Sequence, residues 1–293
     1  MNRIFLKFVY LIRSILYLPL RLFIFLGDTY AFILKMIDRR NHDAYWQEIM
    51  QKSVDRNVSE KIKISNDKEI RFYCPSKLAS FRVKTFFTKE PETIAWMNEY
   101  GSDQKTLYDV GANMGIYSIY YAKKFNADVY AFEPNFKNLD LLTKNIKLNS
   151  LEKQTFVIPN PVCENFIISD FFKLDSFAAA AHATFNDEST KNIFLENTKG
   201  RKNNPMQYKT LGLSLDNLID LKMIKKPELI KIDVDGNEVN VLKGLKKTIL
   251  KLKNVSVLIE THAKTTKKTL LDELEMSGLK KIKESRSNSI WEK

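Results

Sequence analysis

The sequence is poor in the residues that build thiol and metal chemistry. Only two of its 293 residues are cysteine, Cys74 and Cys163. They form no C-x-x-C pair, which excludes a disulfide framework and a cysteine-rich zinc site. Histidine is nearly as scarce, with His42, His182 and His262 the full set. No His/Asp cluster has ligand spacing, so no metal is expected. Repeats and low-complexity tracts are missing, and so is a long apolar run. The most apolar segment, residues 1–37, is interrupted by Lys7, Arg13 and Arg21, and its longest charge-free stretch, Ser14 to Leu20, has seven residues. A spanning helix needs roughly eighteen or more. No small-residue cleavage site follows that segment.

What is present reads as an ordinary globular chain. Hydrophobic residues make up 44% and charged residues 28%, which rules out collagen-like and wholly disordered chains. Forty-seven Lys and Arg against 35 Asp and Glu leave a net charge of +12, pointing to an anionic partner: membrane surface, nucleic acid or phosphorylated substrate. Seven of those cations and two acids fall in residues 1–40. At 100° per residue Arg3, Lys7, Tyr10, Ser14, Tyr17, Arg21, Asp28 and Lys35 share an arc of about 80°, with Phe, Leu and Ile around most of the rest. Residues 1–37 therefore read as a basic amphipathic helix, kinked at Pro19, that lies in a membrane interface, packs on the core or pairs with a second subunit. Residues 38–99 read as a linker and a small cap: a hairpin around Asn66-Asp67, then a helix with Pro91 in its first turn and a cap just before it.

From Thr106 the pattern changes. Leu107 to Val110 is a short buried strand running through a glycine turn into the helix Ile116 to Lys124. A second strand, Asp128 to Phe132, ends at Glu133-Pro134-Asn135 before the helix Lys137 to Leu148. Gly111 and Gly115 let backbone approach a ligand, and Glu133 stands where a carboxylate accepts from ribose hydroxyls. The loop Asp109-Val-Gly111-Ala-Asn113-Met-Gly115 lacks the G-x-G-x-x-G of a dinucleotide site, and Asp109 would repel a pyrophosphate. A carboxylate there suits a ligand with a cationic amino acid end, and S-adenosylmethionine carries an ammonium, a sulfonium and a ribose.

These residues resemble the FkbM-type S-adenosylmethionine-dependent methyltransferases. The resemblance rests on TKEPETIAWM (88–97), LYDVGANMGIYS (107–118), AFEPN (131–135), SLDNL (214–218), LIKIDVDGNEVNVLKGL (229–245) and LIETH (258–262). It covers the chain from about Ile62 onward. It implies an α/β, Rossmann-like class I methyltransferase fold with a mostly parallel doubly wound sheet over residues 100–293. It also makes Asp109, Gly111, Asn113, Gly115, Glu133, Asn135 and Asp233 the cofactor-binding candidates. The carboxyl end of the strand Leu229 to Asp233 faces donor and acceptor in such families, so Asp233 is a pocket residue with Asp235 nearby. Methyl transfer from a sulfonium is a direct displacement, needing alignment first and a base only for a poorly acidic hydroxyl. Asp233, Asp235 and His262 are the catalytic candidates, His262 being either a base or a surface histidine.

Asp233-Val-Asp235-Gly236 leads into a helix Glu238 to Lys251. Residues 166–210 mix helix-forming and loop residues and read as a substrate-covering insertion, whose Lys199–Asn204 group is an anion contact or a solvated loop. Asn160-Pro161-Val162-Cys163 lacks the second proline and the aromatic of the tetrapeptide used by amino-methylating nucleic-acid enzymes. With no nucleic-acid-binding motif elsewhere, nucleic acid is disfavoured. The expected activity is O-methylation of a sugar, glycan or other secondary metabolite, in the cytoplasm and peripheral on the inner face of the membrane. A non-catalytic binding or scaffold protein and a nicotinamide-dependent oxidoreductase are the alternatives.

Overall fold

The computed structural model describes residues 15, 17–37, 59–174, 179–197, 205–261 and 267–293, in two units, Met1–Val58 and Ser59–Lys293. In the first unit, helix α1 (Leu18–Ile37) carries exposed Leu18, Leu22, Ile24, Phe25, Leu26, Tyr30 and Phe32. Pro19 lies in the first turn of α1, where its missing N–H leaves no helical bond unmade; most of the segment that would carry the expected kink lies outside the described residues. Among the described residues no helix is long and apolar enough to cross a membrane.

The second unit opens with an antiparallel hairpin, β1 (Ser59–Lys63) and β2 (Glu69–Tyr73), whose Ile62, Ile70 and Phe72 are buried. Helices α2 (Lys77–Lys84), α3 (Phe86–Lys89) and α4 (Pro91–Tyr100) follow. Asn145 and Asn149 tie the hairpin down, accepting from the backbone N–H of Tyr73 and Arg71. The α/β body then runs β3 (Leu107–Val110), α5 (Ile116–Phe125), β4 (Val129–Phe132), α6 (Phe136–Leu148), β5 (Thr155–Ile158), β6 (Ile167–Lys173), β7 (Ala183–Phe185), α7 (Glu188–Asn197), β8 (Met206–Gly212), α8 (Leu215–Asp220), β9 (Leu229–Ile232), α9 (Glu238–Lys243), α10 (Lys246–Lys251), β10 (Ser256–Glu260), α11 (Lys267–Met276), β11 (Lys280–Ser285) and β12 (Asn288–Glu292).

Seven strands form one sheet in the order β11-β12-β10-β9-β3-β4-β5. The five from β10 to β5 are parallel, and β12 and β11 add antiparallel to the β10 edge. Parallel strands are covered on both faces, so β3, β4 and β9 are buried throughout. The chain lays down β3, β4 and β5 outward in one direction, then crosses back to place β9 on the other side of β3. That reversal opens a crevice at the carboxyl ends of β3 and β9.

The crossover carries the insertion, which is more β-rich than its sequence led us to expect: β7-β6-β8 form a separate antiparallel sheet. Alanine-rich sequence favours helix, but Ala179 and His182 hold left-handed φ of 65° and 64°, so this stretch crosses the crevice as an extended strap. The single helix expected over Glu238–Lys251 is likewise two, α9 and α10. A Cβ at Gly244 would lie 2.1 Å from the Cys163 carbonyl oxygen, so only glycine lets these segments touch. Helix α10 then needs its own cap, and the buried Asp216 supplies it, accepting from Lys247 N at 2.9 Å and Thr248 N at 2.8 Å.

Asp216→Ala should therefore cost about 1–2 kcal/mol and lower Tm by about 2–8 °C, with Asp216→Asn losing less because one acceptor oxygen remains. Thermal unfolding followed by circular dichroism measures both.

Candidate active site

A cavity of about 170 Å³ occupies the crevice, between the strand ends below, the strap above and helices α2 and α3 at one side. The turn after β3 forms its floor. Gly111 has φ +88°, and a Cβ there would meet the Asp233 carbonyl oxygen at 1.9 Å. The turn thus closes against the end of β9, and only glycine lets the two backbones touch there. Gly115, at φ +82°, is packed instead: its Cβ direction is filled by Leu142 at 2.3 Å. It does not line the cavity.

Glu133 is presented from the end of β4. Its Oε2 accepts from Asn113 N and its Oε1 from Asn135 N, both at 2.8 Å, and the Asn138 side chain adds a third bond, so the carboxylate is fixed at the cavity wall. Burial pushes the Glu133 carboxyl up, opposed by the charge of Lys173 and by those amides. Asn135 is fully buried and caps α6 through Oδ1, which accepts from Lys137 N and Asn138 N. Its Nδ2 is buried with no partner among the described residues, and its backbone N–H holds Glu133.

Asp109, expected to face a ligand's cationic end, is fully buried beneath the floor. Its partner is internal: Lys231, only 2% exposed, lies with Nζ 3.8 Å from Asp109 Oδ1, 3.0 Å from Asp233 Oδ2 and 5.0 Å from the Tyr117 ring centre. Ser118 Oγ donates to Asp109 Oδ2 at 2.6 Å. Burial works against the ammonium, but Asp233, Asp109 and Glu90 outweigh it and hold the Lys231 pKa above its ordinary value. Lys231 stays charged.

Glu90 completes this end. The sequence placed a helix cap just before Pro91, yet Glu90 makes no capping bond; it is buried and turned into the cavity. It accepts from the Tyr117 hydroxyl at 2.7 Å and pairs with Lys89. Burial would raise its pKa, but Lys231, Lys89 and the Tyr117 hydroxyl together hold it below the usual carboxylate range.

The strap is bound from every side. Asn138 Oδ1 accepts from Ala179 N at 2.9 Å, Arg82 Nε donates to Ala179 O at 2.8 Å, and Lys173 Nζ and Asn113 Nδ2 donate to Ala180 O at 2.7 and 3.2 Å. Asp235, at φ 50°, accepts on Oδ2 from His182 N at 2.7 Å and Ala183 N at 3.3 Å. Thr184 lines the cavity, and its buried Oγ1 has no partner among the described residues.

Of the sequence-derived candidates, Gly111, Asn113, Glu133, Asp233 and Asp235 meet at the cavity. Asp109, Gly115 and Asn135 support it from beneath, and Asp235 is also a clasp for the strap. His262 and the Lys199–Asn204 group lie outside the described residues, and His182 is exposed. Lys231, Lys173, Glu90, Tyr117 and Arg82 were not anticipated. The signal for the first two was available: a lysine inside an apolar strand, as in LIKI or DFFK, is buried only when paired.

The geometry is that of a Rossmann-like crevice at the carboxyl ends of parallel strands. Residues 109–278 match the methyltransferase FkbM domain, and the chain belongs to that family. Among similar proteins, the hexuronic acid methyltransferase AglP of Haloferax volcanii is 28% identical over 175 residues, covering 59% of this chain and 63% of the relative. The chain thus spans less than two thirds of that relative's length. The methyltransferase sdnD of Sordaria araneosa is 25% identical over 195 residues, 60% of this chain and 73% of that one. The crystal structure of methyltransferase FkbM from Methylobacillus flagellatus KT aligns with a TM-score of 0.45 at 14% identity, over 86% of this chain and 60% of that one.

Replacing the buried cation tests the site's framework. Lys231→Met leaves Asp109 and Asp233 facing each other uncompensated and should destabilise the fold by about 3–5 kcal/mol, with Lys231→Met/Asp109→Asn recovering part of the loss. Urea unfolding gives both values, and a single variant as stable as the wild type would contradict the pairing.

Proposed function

We propose that the protein transfers a methyl group from S-adenosylmethionine to a hydroxyl of a sugar or glycan. The observation that carries this reading is Glu133: a carboxylate fixed by two backbone amides at the end of β4, beside the crevice where the strand order reverses. Such a group accepts from ribose hydroxyls. The residues present fit the cofactor. The turn lacks the G-x-G-x-x-G of a dinucleotide site, which disfavours a nicotinamide cofactor. Asp233, Asp235 and Glu90 make the floor a place for positive charge, and Phe132, Pro134, Pro161 and Val162 offer an apolar wall to a purine. Thr184 Oγ1 is a buried polar atom that a ligand would satisfy. When bound, the cofactor supplies an electrophilic methyl on a sulfonium.

The protein's own part is to hold the acceptor in line and keep water out, a contribution of orientation and exclusion rather than covalent catalysis. Glu90, Asp233 and Glu260 are carboxylates lining the cavity that can accept an acceptor hydroxyl's proton. Asp235 is committed on one oxygen to the strap. A sugar as acceptor is supported by AglP, named for a hexuronic acid. Titration calorimetry should show S-adenosylmethionine binding to the wild type and no binding of NAD. Glu133→Ala should weaken S-adenosylmethionine at least tenfold, since each lost charge-assisted bond is worth about 1.5–3 kcal/mol. Equal affinity in the variant would overturn the assignment. Labelled S-adenosylmethionine incubated with fractionated cell extract should then place label in a glycan or glycolipid.

We also propose that α1 lies on an anionic membrane surface. Its exposed Leu22, Phe25, Tyr30 and Phe32 would enter the acyl boundary, with the cations of residues 1–40 at the headgroups. Full-length protein should float with anionic liposomes and a chain starting at Asn57 should not; equal flotation would sink the idea.

A further inference from the structure

We infer that the methyl acceptor is an anionic sugar, and that Arg82 is the residue that reads its negative group. This rests on the methyl-transfer reading and narrows its substrate. Among the described residues the cations lining the cavity are Arg82, Lys89, Lys173 and Lys231. Three are already matched by protein charge: Lys231 by Asp109 and Asp233, Lys89 by Glu90, and Lys173 by the field of Glu133. Arg82 differs. It is half-buried on α2, its Nε is fixed on the Ala179 carbonyl at 2.8 Å, and among the described residues no carboxylate pairs with its guanidinium. A partly desolvated cation without an acid is costly unless a ligand supplies the charge. The anchored Nε holds the planar fork in place, and among the described residues neither Nη group has a hydrogen-bond partner, which leaves the fork for a carboxylate or phosphate.

The rest of the cavity fixes which way such a ligand would lie. Among the described lining residues the carboxylates of Glu90, Glu133, Asp233, Asp235 and Glu260 outnumber the three lysines that pair with some of them, so an anionic group is disfavoured near the strand ends and drawn toward Arg82 on α2. A sugar with its acidic group on Arg82 thereby directs its hydroxyls at the floor, where Glu90 and Asp233 stand. A neutral sugar would lack this orientation.

The test uses full-length protein saturated with S-adenosylhomocysteine and ligand-observed NMR with D-glucuronate, D-glucose 6-phosphate and D-glucose. At least one of the two acids should bind about tenfold or more tightly than glucose; which acid binds more tightly tells carboxylate from phosphate. Arg82→Gln, which keeps a donor for the Ala179 carbonyl, should erase that preference, and Arg82→Lys should restore it only in part because the fork is lost. Each variant is compared at saturating S-adenosylhomocysteine, so that any change in its affinity does not enter the comparison of the three sugars. Glucose binding as well as the acids, acid binding unaltered in Arg82→Gln, or no acid binding to a protein that does bind S-adenosylhomocysteine would each overturn the inference. Failure of the wild type to bind S-adenosylhomocysteine would instead overturn the methyl-transfer reading beneath it.

Discussion

The buried ammonium of Lys231 is the interaction on which the site depends. It projects from the middle of β9, a strand otherwise Leu and Ile, and meets Asp109 from β3 and Asp233 from its own strand end. Charges this deep are tolerated only when paired and hydrogen-bonded. The pairing therefore locks two adjacent parallel strands in register where the crevice opens. Tyr117, above the ammonium, passes the constraint to Glu90 and so to the cap helices. A single cation thus connects the sheet, the glycine turn and the cap.

The same arrangement explains why the loop is shaped as it is. Gly111 closes onto Asp233, and the turn that results delivers the backbone amide of Asn113 to Glu133. Loop, acid and lysine are parts of one packed object, and the cavity is what remains between them and the strap. Asp235 and Asn113 hold that strap as well as the floor, so the roof is built from the residues that build the base.

Most of the α/β body was legible because it follows local rules. Strands buried on both faces read as apolar runs, and β3 falls where Leu107-Val110 predicts it. Gly115 and Asn135 mark the helix starts, although the sequence reading gave both to the cofactor. What escaped the sequence was long-range. The break at Gly244 is dictated by Cys163, and the strap by a left-handed Ala179 that alanine propensity argues against. Asp109 was assigned to a ligand because its protein partner, Lys231, stands 122 residues away. Glu90 escaped notice because the tyrosine it accepts from lies in another helix.

A crystal structure of the protein with S-adenosylhomocysteine tests the central claim most directly. The expected result places the ligand between strap and strand ends, its ribose hydroxyls on Glu133, with Lys231 still bridging Asp109 and Asp233. A ligand bound outside this cavity, or Lys231 released from its carboxylates to contact it, would contradict that arrangement.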